Sequence, residues 1–173
     1  MKHRGAFALL LTVGIAACSR GSIGQATITA MTPESNIAGT VSLTDTSQGL
    51  RIVARVTHAP PGRHGFHIHE HGSCANSGNA AGSHYNPAGV RHGYLPSAGV
   101  AAAHAGDFGN VDVGPDGRGT LTLTIPGLTL TDGEYPVIGK AIILHAHADD
   151  LTSQPTGNAG ARIGCGVIQI TGE

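Results

Sequence analysis

Polar and apolar residues alternate in short bursts along this chain. Thr27-Ile28-Thr29 and Leu121-Thr122-Leu123-Thr124-Ile125 put every second side chain on an apolar side. Successive strand residues point to opposite faces, so a period of two marks a strand with one face buried. Segments rich in β-branched residues extend the pattern. They predict strands at Ala26–Ala30, Thr40–Leu43, Leu50–Thr57, Gly65–His69, Asn110–Val113, Gly119–Ile125, Ala141–His145 and Val167–Thr171. Turn-forming steps separate several of them, at Gln48-Gly49, Pro115-Asp116-Gly117 and Thr131-Asp132-Gly133. No stretch carries a helical period. The expectation is an all-β domain, an eight-stranded antiparallel sandwich or flattened barrel.

Two segments break the rhythm. Glu70 to Gly109 is rich in Gly, Ala, Ser, Asn and His, and Ala146 to Gly164 is a second long loop. Loops of this length in a compact domain are commonly functional. A metal or a cross-link can order such loops where an apolar core cannot.

The first residues differ from the rest. Lys2, His3 and Arg4 precede an apolar run from Ala6 to Ala17, which ends in Ile15-Ala16-Ala17-Cys18. The run is short of the roughly 20 residues that span a bilayer and has the form of a secretory signal. Small residues before a Cys resemble a lipobox, where the thiol is acylated. The expected organisation is a lipoprotein signal at 1–17, a lipidated Cys18 with a tether to residue 25, and one domain at 26–173. With Cys18 set apart, Cys74 and Cys165 remain, either as buried thiols or as a disulfide formed in an oxidising compartment. The 10 basic residues include Lys2 and Arg4 of the leader, so the remainder, with 11 acidic residues, is mildly negative. That balance argues against a nucleic-acid partner.

Histidine is the conspicuous residue: there are 11, all but His3 lying between His58 and His147. His67-Ile68-His69 puts two imidazoles on one face of a strand, where both can reach one ion. His84, His92, His104 and Asp107 offer three imidazoles and a carboxylate, a donor set that suits tetrahedral zinc. His145 ends the apolar strand Ala141–Leu144. Imidazole suits copper and zinc. Six histidines and one aspartate are one ligand short of two four-coordinate ions, a deficit that a shared imidazole removes.

Several motifs, in order, carry a family likeness. Gly65-Phe66-His67-Ile68-His69-Glu70, His84-Tyr85-Asn86-Pro87, His92-Gly93 and His104-Ala105-Gly106-Asp107-Phe108-Gly109-Asn110 resemble segments of the copper,zinc superoxide dismutases. Gly157-Asn158-Ala159-Gly160-Ala161-Arg162-Ile163-Gly164-Cys165-Gly166-Val167-Ile168 is similar to that family's second signature. The likeness runs from about Ala26 to Ile170. It implies a Greek-key sandwich, an arrangement already associated with this enzyme family. It implies one copper per subunit on His67, His69, His84 and His145. It also implies one zinc per subunit on His84, His92, His104 and Asp107, with His84 shared.

The resemblance assigns further roles. Asp149 matches the carboxylate linking a copper ligand, His67, to a zinc ligand, His92. Cys74 and Cys165 match the family's disulfide. Arg162 matches the arginine beside the copper, and Thr156 a residue narrowing the entrance. The implied reaction is dismutation of superoxide to dioxygen and hydrogen peroxide, with His84 and Arg162 catalytic. The loop before Arg162 is short and holds no lysine, so no steering cation is evident there. His64 reads as structural. His71 and His147 are either exposed residues or accessory copper ligands.

A metal carrier without turnover and a structural envelope protein are the rival readings; complete ligands plus Arg162 favour the enzyme. The leader implies the periplasmic side of a bacterial envelope. Ser19 after Cys18 favours an outer-membrane anchor, and hence defence against external oxidants. A homodimer and a monomer both stay open.

Overall fold

Residues 22–172 are described by the structure, a computed structural model. The chain runs β1 (Ile23–Ala30), β2 (Ala38–Thr46), β3 (Gly49–Thr57), β4 (Gly62–His69), a 3-10 turn (Asn79–Ala81) and a single helical turn, α1 (Leu95–Ala98). It continues with β5 (Asp107–Val113), β6 (Gly119–Ile125), β7 (Leu128–Thr129), β8 (Tyr135–Pro136), β9 (Ala141–His145), β10 (Arg162–Val167) and β11 (Gln169–Gly172).

Alternation decides which way each outer strand faces. In β1, Ala26 and Ile28 are buried while Gln25, Thr27 and Thr29 are exposed. In β2, Val41 and Leu43 point inward and Thr40 and Ser42 outward. The strands pair antiparallel in the order β1-β2-β3-β6-β5-β4-β9-β10, and β10 pairs back onto β1. The sheet therefore closes into a barrel, which leaves no long free edge in the main ring. Strands β4, β5 and β6 follow one another, and β3 lies beside β6, as a Greek key requires. The all-β Greek-key expectation holds.

Two strands depart from simple alternation, and they place the site. From His64 onward every residue of β4 is buried, and so is all of β9. Phe66, Ile68, Ile142 and Leu144 fill the core. His67, His69 and His145 occupy the alternate positions, on the outer side of the barrel. Burial there requires cover, and the two long loops supply it.

The last strand differs from expectation. It begins at Arg162 rather than Val167 and splits at Ile168 into β10 and β11. The segment before Val167 lacks the β-branched run that marks a strand. It pairs because it is small: a Cβ on Gly166 would sit 2.5 Å from the Thr27 carbonyl oxygen. Only glycine lets β10 come this close to β1. Cys165 on β10 is joined to Cys74 of the first loop, with Cα atoms 5.8 Å apart.

Candidate metal centre

Every candidate histidine but His104 has one ring nitrogen tied down by a hydrogen bond. The pair on β4 is held in opposite senses. His67 Nε2 bonds Asp149 Oδ2 at 2.8 Å, leaving Nδ1. His69 Nδ1 donates to the Gly82 carbonyl at 2.9 Å, leaving Nε2. At the end of β9, His145 Nδ1 donates to the Gly160 carbonyl at 3.1 Å, also leaving Nε2. The free nitrogens of His69 and His145 then lie 3.3 Å apart. His84 brings its ring against this group, 4.2 Å from His67 and 4.9 Å from His69 between centroids.

Asp107, at the start of β5, organises the second group. Its Oδ1 is 2.7 Å from His84 Nδ1 and 3.2 Å from His104 Nδ1, and its Oδ2 is 2.9 Å from His92 Nδ1. The same Oδ2 accepts the backbone N–H groups of Gly93 and His104. His92 Nε2 meets Asp149 Oδ1 at 2.9 Å. Asp149 thus spans the two groups, touching His67 with one oxygen and His92 with the other.

Two tetrads result. The donor atoms of His67, His69, His84 and His145 all lie within 4.8 Å of one another, as do those of His84, His92, His104 and Asp107. His84 belongs to both. Buried donors normally find a hydrogen bond, yet His67 Nδ1, His84 Nε2, His92 Nδ1 and His104 Nδ1 have none. His67 Nδ1 and His84 Nε2, buried with no partner, are costly unless a cation fills the space they face, and His92 Nδ1 and His104 Nδ1 have only the misaligned Asp107 carboxylate. The donor set is imidazole with one carboxylate, which fits copper and zinc.

Electrostatics keep these donors available. Burial, reinforced by the neighbouring His84, pushes the pKa of His69 down to about 2. Burial likewise lowers His145 to about 3, and His84 to about 4 despite its bond to Asp107. At neutral pH these rings are uncharged and offer lone pairs. Burial alone would raise Asp107, but contacts from His104, His84, His92 and the Gly93 N–H hold it far below the usual carboxylate range. Burial also opposes ionisation of Asp149, and its bonds from His67, His92 and the Leu151 N–H overcome that. His92 is the exception: burial lowers it, but the two carboxylates flanking its ring raise it to about 9.

Known proteins resemble the chain in sequence and fold. The family described as copper/zinc superoxide dismutase matches residues 37–168 of the chain. The chain belongs to that family. A crystal structure of the clock protein EA4 is similar to it at 32% identity and a TM-score of 0.77, covering 93% of this chain and 100% of that one. A double mutant of a SOD-like protein from Bacillus subtilis is similar at 33% identity and 0.72, covering 82% and 94%.

The remaining candidates of this superoxide dismutase family member fall around the tetrads. Arg162 opens β10, and its Nη1 and Nη2 donate to the carbonyls of Gly78 and Gly82 in the first loop. Gly82 also holds His69, so one backbone oxygen fixes both the arginine and a candidate ligand. Thr156 is half-buried in the second loop. His71 is exposed and 3.4 Å from Glu70, and His147 is exposed. His64 is buried, facing the His145 carbonyl at 2.9 Å and the Pro60 carbonyl at 2.8 Å. Cys18 and the leader lie outside the described residues.

Sequence reasoning missed the amides that hold the loops. Asn110 Nδ2 donates to the Asp149 carbonyl, and its Oδ1 accepts the Asp149 N–H at 2.7 Å. Gln154 does the same to His92. Asn110 closes the His104–Asn110 motif and lies in β5, and Gln154 sits in a polar loop, but neither position says which backbone its amide will meet; only the fold reveals that.

Proposed function

We propose that this protein dismutes superoxide outside the cytoplasm, using one copper and one zinc per subunit joined through His84. His67, His69, His84 and His145 would hold the copper; His84, His92, His104 and Asp107 would hold the zinc. The observation that carries the reading is the pair of buried tetrads with His84 in common. When bound, copper would supply the one-electron exchange that dismutation needs, whereas zinc has no redox chemistry.

The protein's own groups do the rest. Arg162 is fixed by two carbonyls, so its other N–H groups are pre-aimed for a small anion. Its positive charge bears on both His69 and His145, which lie beside it. His84 Nε2 would carry one of the two protons that hydrogen peroxide takes up, the second coming from solvent. On the opposite edge of that ring Nδ1 lies 2.7 Å from Asp107 Oδ1, the two donors the zinc would take. Asp149 prevents His67 and His92 from turning.

Superoxide consumption by residues 19–173, loaded with copper and zinc, tests the reading beside Arg162→Ala and His84→Ala. Fast copper-dependent turnover that falls with the first variant and collapses with the second supports it. Two ions bound without turnover would make the protein a metal carrier.

Export and lipidation at Cys18 complete the proposal. The Cys74–Cys165 disulfide favours an oxidising compartment. A Cys18→Ala chain should be exported yet leave the membrane fraction; retention there would count against the anchor.

A further inference from the structure

The backbone of His92 lies in a long loop and belongs to no strand. Among the described residues, its main-chain hydrogen bonds go to one side chain. Gln154 Oε1 accepts the His92 N–H at 2.8 Å, and Gln154 Nε2 donates to the His92 carbonyl at 3.0 Å. One amide thus replaces a rung of β-ladder between the two long loops. Nε2 also donates to the Thr152 carbonyl at 3.1 Å, which fixes the amide plane.

The turn presenting Gln154 is braced from within. Asp150 accepts the N–H groups of Thr152 and Ser153 and the side-chain amide of Asn158. The Gly157 N–H donates to the Ser153 carbonyl at 2.7 Å, and the Asp150 N–H to the Gly157 carbonyl at 2.9 Å. Asp149 precedes this turn and holds the His92 ring at Nε2. His92 is therefore gripped three times by residues 149–154: at its ring, its N–H and its carbonyl.

We propose that Gln154 is a positioning residue for the zinc tetrad, aiming His92 Nδ1 at the ion beside Asp107. A ring held at Nε2 alone can swing about its Cα–Cβ bond as the loop shifts. Fixing the main chain removes that freedom, so Asp149 and Gln154 together set where Nδ1 points. Water can replace each Gln154 bond singly, but it does not tie His92 to the second loop. The role is specific to an amide. Glutamate has the same shape, yet its carboxylate can donate nothing to the His92 carbonyl and would repel it.

The proposal rests on the zinc reading of the His84, His92, His104 and Asp107 tetrad. Its test is zinc affinity, measured by competition with a chromogenic chelator on the disulfide-bonded chain, for the wild type, His92→Ala, Gln154→Ala and Gln154→Glu. Copper affinity of the same proteins is the control. Partners that orient a metal-bound histidine are worth about 10- to 100-fold in metal affinity. Both Gln154 variants should therefore bind zinc about tenfold or more weakly, with copper affinity nearly unchanged. Near wild-type zinc affinity in Gln154→Glu would reduce the residue to packing and overturn the proposal. So would an equal fall for both metals, which marks general loop damage. If His92→Ala binds zinc as tightly as the wild type, the tetrad reading itself fails and takes the proposal with it.

Discussion

The disulfide bears on stability through the unfolded chain more than through the native contacts. Cys74 and Cys165 are separated by 91 residues. In the chain-entropy account, closing such a loop removes about 4.6 kcal/mol of unfolded-state freedom at 25 °C. Reduction should therefore cost close to that amount, provided the native loop stays in place. The structure gives grounds for this. The Glu70 and His71 N–H groups bond the Ser83 and Ala81 carbonyls at 3.0 Å, and the Ser83 N–H returns to Glu70 Oε1 at 3.0 Å. Arg162 holds Gly78 and Gly82 independently of the sulfurs.

The assay is urea unfolding of residues 19–173, oxidised and reduced, both stripped of metal so that ligand binding adds nothing. Comparing redox states of one chain leaves the packing of Cys165 against Ala141 and Ile143 unaltered. With a slope of about 2 kcal/mol per molar urea, the midpoint should fall by about 2 M on reduction. A loss under about 1.5 kcal/mol would refute the reasoning, because the unfolded-state constraint would then be a minor part of the effect. Serine substitutions are a poorer test, since a hydroxyl at position 165 would be buried in an apolar cluster.

Three further outcomes are expected. In the metal-free protein, stability should fall steeply from pH 6.5 to pH 5. His69, His84 and His145 have native pKa values lowered from 6.5 to about 2, 4 and 3. The unfolded chain therefore binds protons that the native state refuses. Each histidine should cost about 2 kcal/mol by pH 5, about 6 kcal/mol together. His92, raised to about 9, contributes stability that is fully present below 6.5 and lost as pH rises through 9, so it adds no slope in this window. Asp107 and Asp149 are depressed, and their contribution is lost only at lower pH. Urea midpoints across the range check this, and a flat profile would contradict it. Gly157→Ala should lower both stability and zinc affinity. Gly157 has a φ of 63°, and its Cβ would fall 1.8 Å from Asp149 Oδ1 and 2.6 Å from His92 Nε2. The left-handed backbone costs about 1–2 kcal/mol, and unchanged zinc binding would show that Asp149 can move without consequence. Arg162→Lys keeps the charge but loses the paired donation to the Gly78 and Gly82 carbonyls. Superoxide turnover should drop by about tenfold; full turnover would mean that charge alone suffices.

Different physical signals made different parts of this molecule readable. The outer strands were legible because one face is wet, so the period of two survives in β1, β2 and β6. β4 and β9 are buried on both faces, and there the histidines themselves marked the outer face. β10 was misplaced because glycine and cysteine carry no strand propensity; its place is set by how closely β1 can approach. The candidate ligands were chosen from residue type and motif order, and they meet in two groups. The amides of Asn110 and Gln154 were not legible, because their meaning lies in a partner 39 or 62 residues away.

That division has a consequence for how the loops fold. The first long loop sends Tyr85, Leu95, Ala103 and Ala105 into the buried core, and its polar stretches depend on other ties. The first supplies His84, His92 and His104; the second supplies Asp149 and Gln154, which hold His92, and the Gly160 carbonyl, which holds His145. Each loop is thus positioned by atoms of the other, with His67, His69 and His145 of the barrel between them. The orphaned nitrogens on the inner side of both loops mean that this mutual support is incomplete without cations. Ion binding and loop ordering are then one equilibrium. Hydrogen exchange should register it: amides of residues 86–104 and 149–160 should gain protection together when zinc is added, while those of β2 and β3 stay as they were. Protection gained in the first loop alone would break the argument, because it would show that Asp149 and Gln154 do not couple the two.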